Sequence, residues 1–374
     1  MRNWSIPAGK VFGVELRIHL TFALLLLFVW LTESAKSGTE GALRGMALVG
    51  IIFGSVVVHE LAHAITAMRY GVGVRSIVLL PLGGVTLMDD ESRRSPNPRR
   101  DIRIAFAGPF VNLVLAVFFG TGTLMFLPHV DLFARPLVHS SALVRSLVWG
   151  NLFLGLFNLL PAYPMDGGRV LRAWLSERMD PLKATRRAVV VGQIFAIVFI
   201  MVGAKYSMTK ADFALWLILI GLVLLFGAQL EDRSAVFQSV LESVRMEDVM
   251  LTDFKTLSPA DTLEDALQKV VHSLQDDFPV VGGGDMVGVI SRQKIMETLR
   301  SQGNGYVQGA MNRFFQIAQR TDTLASVFRR VGQTGLSLVP VVDSGHLVGI
   351  VTLQNLMHSM ATLAEARRLR QPES

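Results

Sequence analysis

Long apolar runs alternate with short charged segments from the N-terminus to Leu230, and beyond that point the runs shorten. Six runs approach or reach the length of a membrane span, which is about 20 mostly apolar residues. Their approximate limits are 16–31, 42–69, 102–127, 142–160, 188–204 and 211–230. The pattern therefore predicts a polytopic α-helical membrane domain over residues 1–232, a linker at 233–245 and a soluble domain after it.

The stretch between the second and third runs has a different pattern. Residues 74–80 and 85–88 are rich in β-forming side chains, and Pro81, Gly83 and Gly84 separate them. This pattern predicts a β-hairpin. At membrane depth a hairpin must be buried in protein or line a polar cavity. It either borders an active site or is a cytoplasmic β-loop without a substrate role, and the pattern favours neither.

The soluble part contains an internal repeat whose two copies align without a gap. Pro279-Val-Val281, for example, recurs as Pro340-Val-Val342, and the other identities share this spacing. Each copy predicts a helix, a strand, a glycine turn, a second strand and a second helix. The result is a soluble α/β pair of modules at 246–301 and 307–362, followed by a polar tail at 363–374.

Composition agrees with a membrane protein, since 51% of residues are hydrophobic, 18% are charged and the mean hydropathy is +0.44. The chain has no cysteine, so a metal would be held by histidine and carboxylate side chains. The net charge of +6 comes from Lys and Arg residues in the loops, with 16 on one side of the predicted spans and 6 on the other. This asymmetry predicts cytoplasmic termini and modules, and no nucleic-acid partner.

Ionisable residues interrupt the second apolar run. His59 and His63 are four residues apart, so on a helix both imidazoles can reach one metal ion. Glu60, beside the first histidine, is placed to act on a water, which completes the H-E-x-x-H pattern of zinc peptidases. The alternative is a buried His-Glu-His hydrogen-bond cluster that holds helices together.

A second chemically loaded stretch runs from Phe157 to Arg169. Two prolines and two glycines surround Asp166, so the helix breaks around a carboxylate at membrane depth. As a third ligand, Asp166 gives a His₂-carboxylate set that leaves one position open for water, as catalytic zinc requires. The alternative is that Asp166 only caps the helix beginning at Gly167.

These residues carry a resemblance to a known family. Residues 1–230 resemble the site-2 protease family of zinc intramembrane metalloproteases. Its zinc motif is matched by His59-Glu60-Leu-Ala-His63, and its N-x-x-P-x-x-x-x-D-G motif by the ten residues from Asn158 to Gly167. Gly83-Gly84 and Gly108-Pro109-Phe-Val-Asn112 also look like family features. Residues 246–362 resemble a tandem pair of cystathionine-β-synthase-type (CBS) modules.

The resemblance implies one Zn²⁺ per chain, held by His59, His63 and Asp166, with Glu60 as the general base. It also implies that Asn158 positions the substrate backbone. We expect three further residues in substrate binding, namely Gly83, Gly84 and Asn112. The implied substrates are transmembrane proteins in a prokaryotic cell membrane, such as anti-sigma factors, membrane-tethered transcription factors or remnant signal peptides.

Paired CBS modules often bind adenine nucleotides through a Ser or Thr that is followed three residues later by an Asp. Ser291 is followed here by Lys294, and Thr352 by Asn355, so the acid is absent from both copies. A nucleotide site at Ser291 and Thr352, a homodimer through the modules, and substrate docking therefore stay open alternatives.

Two other classes of protein share parts of this architecture. One is a transporter or channel gated by CBS modules, and the other is an inactive membrane adaptor. A transport path does not need a glutamate beside the first of two helical histidines, and an adaptor does not need the full set of catalytic residues. The sequence therefore favours an intramembrane metalloprotease.

Overall fold

The computed structural model describes residues 4–81, 83–88, 97–207, 214–273, 275–327 and 338–352. The chain forms two compact units, residues 1–232 and 233–374. The expected polar tail at 363–374 and the expected helix after Thr352 lie outside the described residues.

Long apolar helices and one small sheet make up the first unit. The helices are Thr21–Arg69 (α1), Pro98–Phe126 (α2), Leu143–Asn158 (α3), Asp166–Leu175 (α4), Pro181–Ser207 (α5) and Ala214–Ser243 (α6). The strands are Ser5–Val11 (β1), Val14–His19 (β2), Val74–Leu80 (β3) and Gly83–Met88 (β4). Because α6 extends to Ser243, most of the expected linker at 233–245 is helical.

Helix α1 is a helical hairpin. Its backbone leaves the helical conformation at Ser37 and Gly38, where Gly38 has a φ of 64° that favours glycine. The rings of Phe22 and Phe53, which lie on either side of this break, have centroids 4.5 Å apart. The two arms, residues 21–36 and 39–69, therefore pack antiparallel and correspond to the first two expected spans.

Four helices in the described part of the chain are long and apolar enough to cross a membrane, namely α1, α2, α5 and α6. Helix α3 has 16 residues. The first span was expected from residue 16, but residues 14–19 form β2 and the helix begins at Thr21. The count of six spans stays a prediction.

The sheet has the order β1-β2-β3-β4, with β2 parallel to β3 and β3 antiparallel to β4. The expected hairpin at 74–88 is present as β3 and β4, whereas the pairing of β1 and β2 with it was not expected. Val14 of β2 and Ile77 of β3 share a buried cluster with Leu61 of α1. The sheet therefore packs against the helix arm that carries the two histidines, and β4 is an edge strand.

Local signals set the start of α2. The side chain of Asn97 accepts a hydrogen bond from the Arg100 backbone, and Pro98 occupies the first turn. Both are favoured there, since the first N–H groups of a helix lack partners and proline has no N–H to lose. Pro109 lies inside the same helix.

The second unit is built from short helices and strands. It contains Met246–Asp248 (a 3₁₀ turn), Leu263–Val271 (α7), Asp277–Gly282 (β5), Asp285–Ser291 (β6), Arg292–Gln302 (α8), Val307–Ala310 (α9), Ala318–Gln319 (β7), Leu338–Asp343 (β8) and His346–Thr352 (β9). Strands β5 and β6 coincide with β8 and β9 when the chain is shifted by one repeat, including the bulge in each pair. The sequence repeat is therefore a structural repeat.

Each repeat places a methionine against a glycine of the other repeat. A Cβ on Gly349 would lie 2.7 Å from Met250 Sδ, and one on Gly288 would lie 2.7 Å from Met311 Sδ. Met250 and Met311 are themselves one repeat apart, so each glycine makes room for the equivalent methionine. This exchange explains why glycine stands at both positions.

Candidate active site

Three buried side chains from distant parts of the sequence converge in the first unit. Asp166 Oδ2 lies 3.0 Å from His59 Nε2 and 3.1 Å from His63 Nε2, and the two Nε2 atoms are 3.1 Å apart. Ligand atoms around a tetrahedral zinc with bonds of about 2.0–2.1 Å lie about 3.3 Å from one another. The three atoms are therefore spaced as one face of such a site.

The opposite ring nitrogens show that this cluster suits a cation. His63 Nδ1 lies 2.6 Å from the Ile104 carbonyl, and His59 Nδ1 lies 2.6 Å from Asn112 Oδ1. Each Nδ1 must donate to its oxygen, so in the neutral rings both Nε2 atoms carry lone pairs. Two lone pairs and a carboxylate face one another, and a metal ion satisfies all three. With neutral imidazoles and an ionised carboxylate, no proton lies between these three atoms, so a bound cation accounts for their close approach.

Helix α2 makes room for the two imidazoles. A Cβ on Gly108 would lie 2.3 Å from His63 Nε2 and 2.6 Å from His59 Nε2, so only glycine fits there. In the same turn Pro109 lacks the N–H that would bond to Ala105, while the Ile104 carbonyl accepts from His63. Gly108 therefore provides the room in which the two imidazoles pack against α2.

Asp166 reaches the histidines from the first residue of α4. The helix cap is Met165, and Asp166 makes no side-chain capping bond to this helix, so the capping alternative is not what the geometry supports. A Cβ on Gly167 would lie 2.2 Å from the Leu160 carbonyl, and one on Gly168 would lie 2.7 Å from the Tyr163 nitrogen. The two glycines let α4 begin tightly against the preceding loop, which aims Asp166 at the ligands.

Glu60 is covered by the edge strand β4. The Thr86 hydroxyl donates to Glu60 Oε2 at 2.5 Å. A Cβ on Gly84 would lie 2.5 Å from Glu60 Cγ, so this glycine permits close packing of the strand on the carboxylate side chain. Sequence reasoning assigned no role to Thr86, because its contact with Glu60 depends on strand register. The alternation along β4, which places residues 84 and 86 on one face, was the available signal.

The other expected substrate residues occupy different surroundings. Asn158 is half-buried at the end of α3, where its amide nitrogen donates to the Leu154 carbonyl. Gly83 begins β4 and has open space where a side chain would stand. Asn112 is fully buried, and both of its amide atoms are engaged, with His59 and with Asn151. Its contacts hold Asn112 against His59, and a role of Asn112 in substrate binding stays a prediction.

The two candidate nucleotide residues occupy equivalent ends of β6 and β9. The Ser291 side chain accepts from the Lys294 backbone and so caps α8. Lys294 itself pairs with Glu297 on the exposed face of that helix, at 3.3 Å. Thr352 is the last residue of β9. Nucleotide binding at Ser291 and Thr352 stays a prediction.

Family models match both units of the chain. The model of peptidase family M50 matches residues 47–140 and 130–203, which include the histidines and Asp166. The CBS domain model matches residues 246–301 and 307–362. The resemblance to a site-2 protease followed by a CBS pair is thereby confirmed, as is the fold class.

Relatives extend the match over nearly the whole chain. A zinc metalloprotease of Methanocaldococcus jannaschii is 30% identical over 361 residues, which cover 96% of this chain and 97% of the relative. Rip3 of Mycobacterium tuberculosis is 30% identical, with 99% and 95% covered. Among solved structures, a site-2 protease from M. jannaschii is 34% identical, covers 62% of this chain and 96% of its own, and has a TM-score of 0.45.

The chain belongs to peptidase family M50, the site-2 proteases. It is a membrane metalloprotease with a CBS pair behind its catalytic unit. The transporter and adaptor interpretations are not needed to explain either unit.

Proposed function

We propose that this protein is a zinc-dependent endopeptidase that cleaves peptide bonds inside the transmembrane segments of membrane-anchored proteins. The observation that carries the proposal is the convergence of His59, His63 and Asp166 beside Glu60. These residues lie in or next to helices that are apolar enough for a membrane. Ionisable groups at such depth are costly and mark a functional site.

Each residue has a distinct chemical task. His59, His63 and Asp166 would hold the zinc ion. When bound, zinc acts as a Lewis acid that activates a water and polarises the scissile carbonyl. Glu60 takes a proton from the attacking water and passes it to the leaving amine. Thr86 holds one carboxylate oxygen of Glu60, which leaves the other oxygen for the proton.

The first test is zinc content of the detergent-purified protein together with cleavage of a helix-destabilised transmembrane peptide. We expect about one zinc per wild-type chain, and loss of both zinc and cleavage in Asp166→Ala, because a two-histidine site lacks its third ligand. Asp131→Ala, which changes an exposed aspartate in a loop, is the matched control and should keep both. Folded wild-type protein with neither zinc nor cleavage would overturn the proposal.

A transmembrane substrate must unwind before attack, because a helix hides its carbonyls in i to i−4 hydrogen bonds. Among the described residues no strand pairs with the outer edge of β4, which can therefore receive the unwound segment, and the inner face of β4 touches Glu60 through Gly84 and Thr86. We propose that the substrate adds to this edge as a strand. The added strand would then run past the proton acceptor.

Proline substitutions test the edge pairing. Successive N–H groups of a strand point to opposite edges, so the neighbouring substitutions Val85→Pro and Thr86→Pro remove one donor to β3 and one at the open edge, with Thr86→Val as the reference for the lost hydroxyl. The open-edge variant should slow cleavage by about fivefold to tenfold, the worth of one hydrogen bond, with unchanged zinc content and melting temperature. The other should lower the melting temperature. Wild-type cleavage rates in both variants would contradict the pairing.

The proposal also includes the substrates of the protein and its orientation in the membrane. The substrates would be anti-sigma factors, membrane-tethered transcription factors or remnant signal peptides. Both termini and the CBS modules would lie in the cytoplasm. The CBS pair would serve regulation, docking or dimerisation. The family supports a membrane substrate, and the charge asymmetry of the loops supports the orientation.

A further inference from the structure

A chain of buried polar side chains extends behind His59 across three helices. Ser55 on α1, Asn112 on α2 and Asn151 on α3 are 6%, 0% and 1% exposed. Buried polar groups in apolar helices are costly unless every hydrogen bond is made. Ser55 bonds to Asn151, Asn151 bonds to Asn112, and Asn112 bonds to His59.

Backbone carbonyls at the end farthest from His59 fix the donor-to-acceptor direction of this row of hydrogen bonds. The Leu147 carbonyl can only accept, so the Asn151 atom 2.8 Å from it is the amide nitrogen. The Ser55 hydroxyl donates to the Ile51 carbonyl at 3.0 Å and therefore accepts from the same nitrogen, also at 3.0 Å. The oxygen of Asn151 must then face Asn112.

Asn112 transmits this donor-to-acceptor direction to His59. Asn112 Nδ2 donates to Asn151 Oδ1 at 2.8 Å, so its own oxygen faces His59 Nδ1 at 2.6 Å. An oxygen at that position requires a proton on Nδ1. The Nε2 atom of His59 is then left with its lone pair, in the tautomer that a metal needs.

We propose that Asn151 is a positioning residue that selects the metal-binding tautomer of His59 through Asn112. Asn151 does not touch His59, and sequence reasoning gave it no role. Without its oxygen, Asn112 is free to turn its amide nitrogen towards His59, which would then carry its proton on the ligating nitrogen. The inference rests on the zinc site of the proposed function.

Zinc affinity of the full chain, measured by competition with a chelator, tests this role. Asn151→Leu should weaken zinc binding by about 10-fold to 100-fold, the usual cost of losing a group that orients a ligand. Asn151→Asp should stay within about threefold of wild type, because a neutral carboxylic acid donates to Leu147 and accepts from Asn112 as the amide does. Ser55→Ala should have a small effect, since the Leu147 carbonyl still orients the amide.

Ser146→Ala is the matched control for lost stability. Ser146 is fully buried on the same helix and bonds to His139, away from the metal ligands. It should lower the melting temperature without changing zinc affinity. If Asn151→Leu does not fold, Asn151→Ala, which adds no volume, carries the same test.

A nitrogen-15 spectrum of zinc-free protein labelled at histidine gives a second readout. We expect His59, assigned by its loss in His59→Gln, to be protonated on Nδ1 in wild type and to lose this preference in Asn151→Leu. Wild-type zinc affinity and an unchanged tautomer in folded Asn151→Leu would overturn the inference alone. Absence of zinc binding by wild type would overturn the proposed function instead.

Discussion

Glu60→Gln is expected to lower peptide-bond cleavage by about 10²-fold to 10⁴-fold, the contribution of a general base, while zinc content stays near one per chain. Glutamine has the shape of glutamate, and its oxygen can still accept from Thr86. The packing of Gly84 on this side chain also remains possible. Only the capacity to take a proton is lost. Cleavage of a transmembrane peptide and metal analysis of the same sample measure the two effects.

Comparing the cleavage rate with the zinc content of the same variant separates a role of Glu60 in the reaction from a role in metal binding. A variant that loses zinc together with activity would show that Glu60 is needed for the structure of the site. A variant that keeps cleavage would remove Glu60 from the mechanism. Transport activity that survives Glu60→Gln would favour a transporter, and client binding without any wild-type cleavage would favour an adaptor.

Gly108→Ala should weaken zinc binding strongly, although the substitution adds only one methyl group. The new methyl group would lie 2.3 Å from His63 Nε2 and 2.6 Å from His59 Nε2, which are the two nitrogens proposed to bind the metal. Both imidazoles would have to move from their shared positions, so we expect zinc affinity to fall by about 100-fold or more. Cleavage should fall with it. Chelator competition gives the affinity directly.

Gly120→Ala is the matched control for this substitution. Gly120 lies on the same helix, and its added methyl would stand 3.5 Å from a Val148 methyl, an ordinary contact. Alanine favours a helix over glycine, so zinc affinity should not change and the melting temperature should not fall. Equal zinc affinities in the two alanine variants would mean that α2 does not pack on the ligands as the structure has it.

The sequence predicted the parts of the site that depend on local geometry. His59, Glu60 and His63 are within one helical turn, so their common face follows from spacing alone. The repeat in the second unit was equally visible, since its strands recur at the offset read from the residues. Asp166 could be predicted for a chemical reason, because a carboxylate between prolines and glycines at membrane depth needs a partner.

Other elements were set by contacts between distant residues. The first span was expected from residue 16, but Leu16 pairs with Ile77 in a sheet. A short apolar run fits a strand or a helix, and only a partner strand far along the chain decides between them. The contacts of Asn112 were not visible in the sequence for a similar reason, because its partners His59 and Asn151 come from two other helices.

The sequence by itself determined the membrane character and the paired soluble modules, and it predicted the metal-ligand set and the proton acceptor. Each of these follows from composition, from a local motif or from the internal repeat. Tertiary structure alone decided that β4 covers Glu60 through Thr86, that Gly108 makes room for the imidazoles, and that Asn112 donates a hydrogen bond to Asn151. The reason is physical, since hydrogen-bond direction and steric room depend on atoms that only folding brings together.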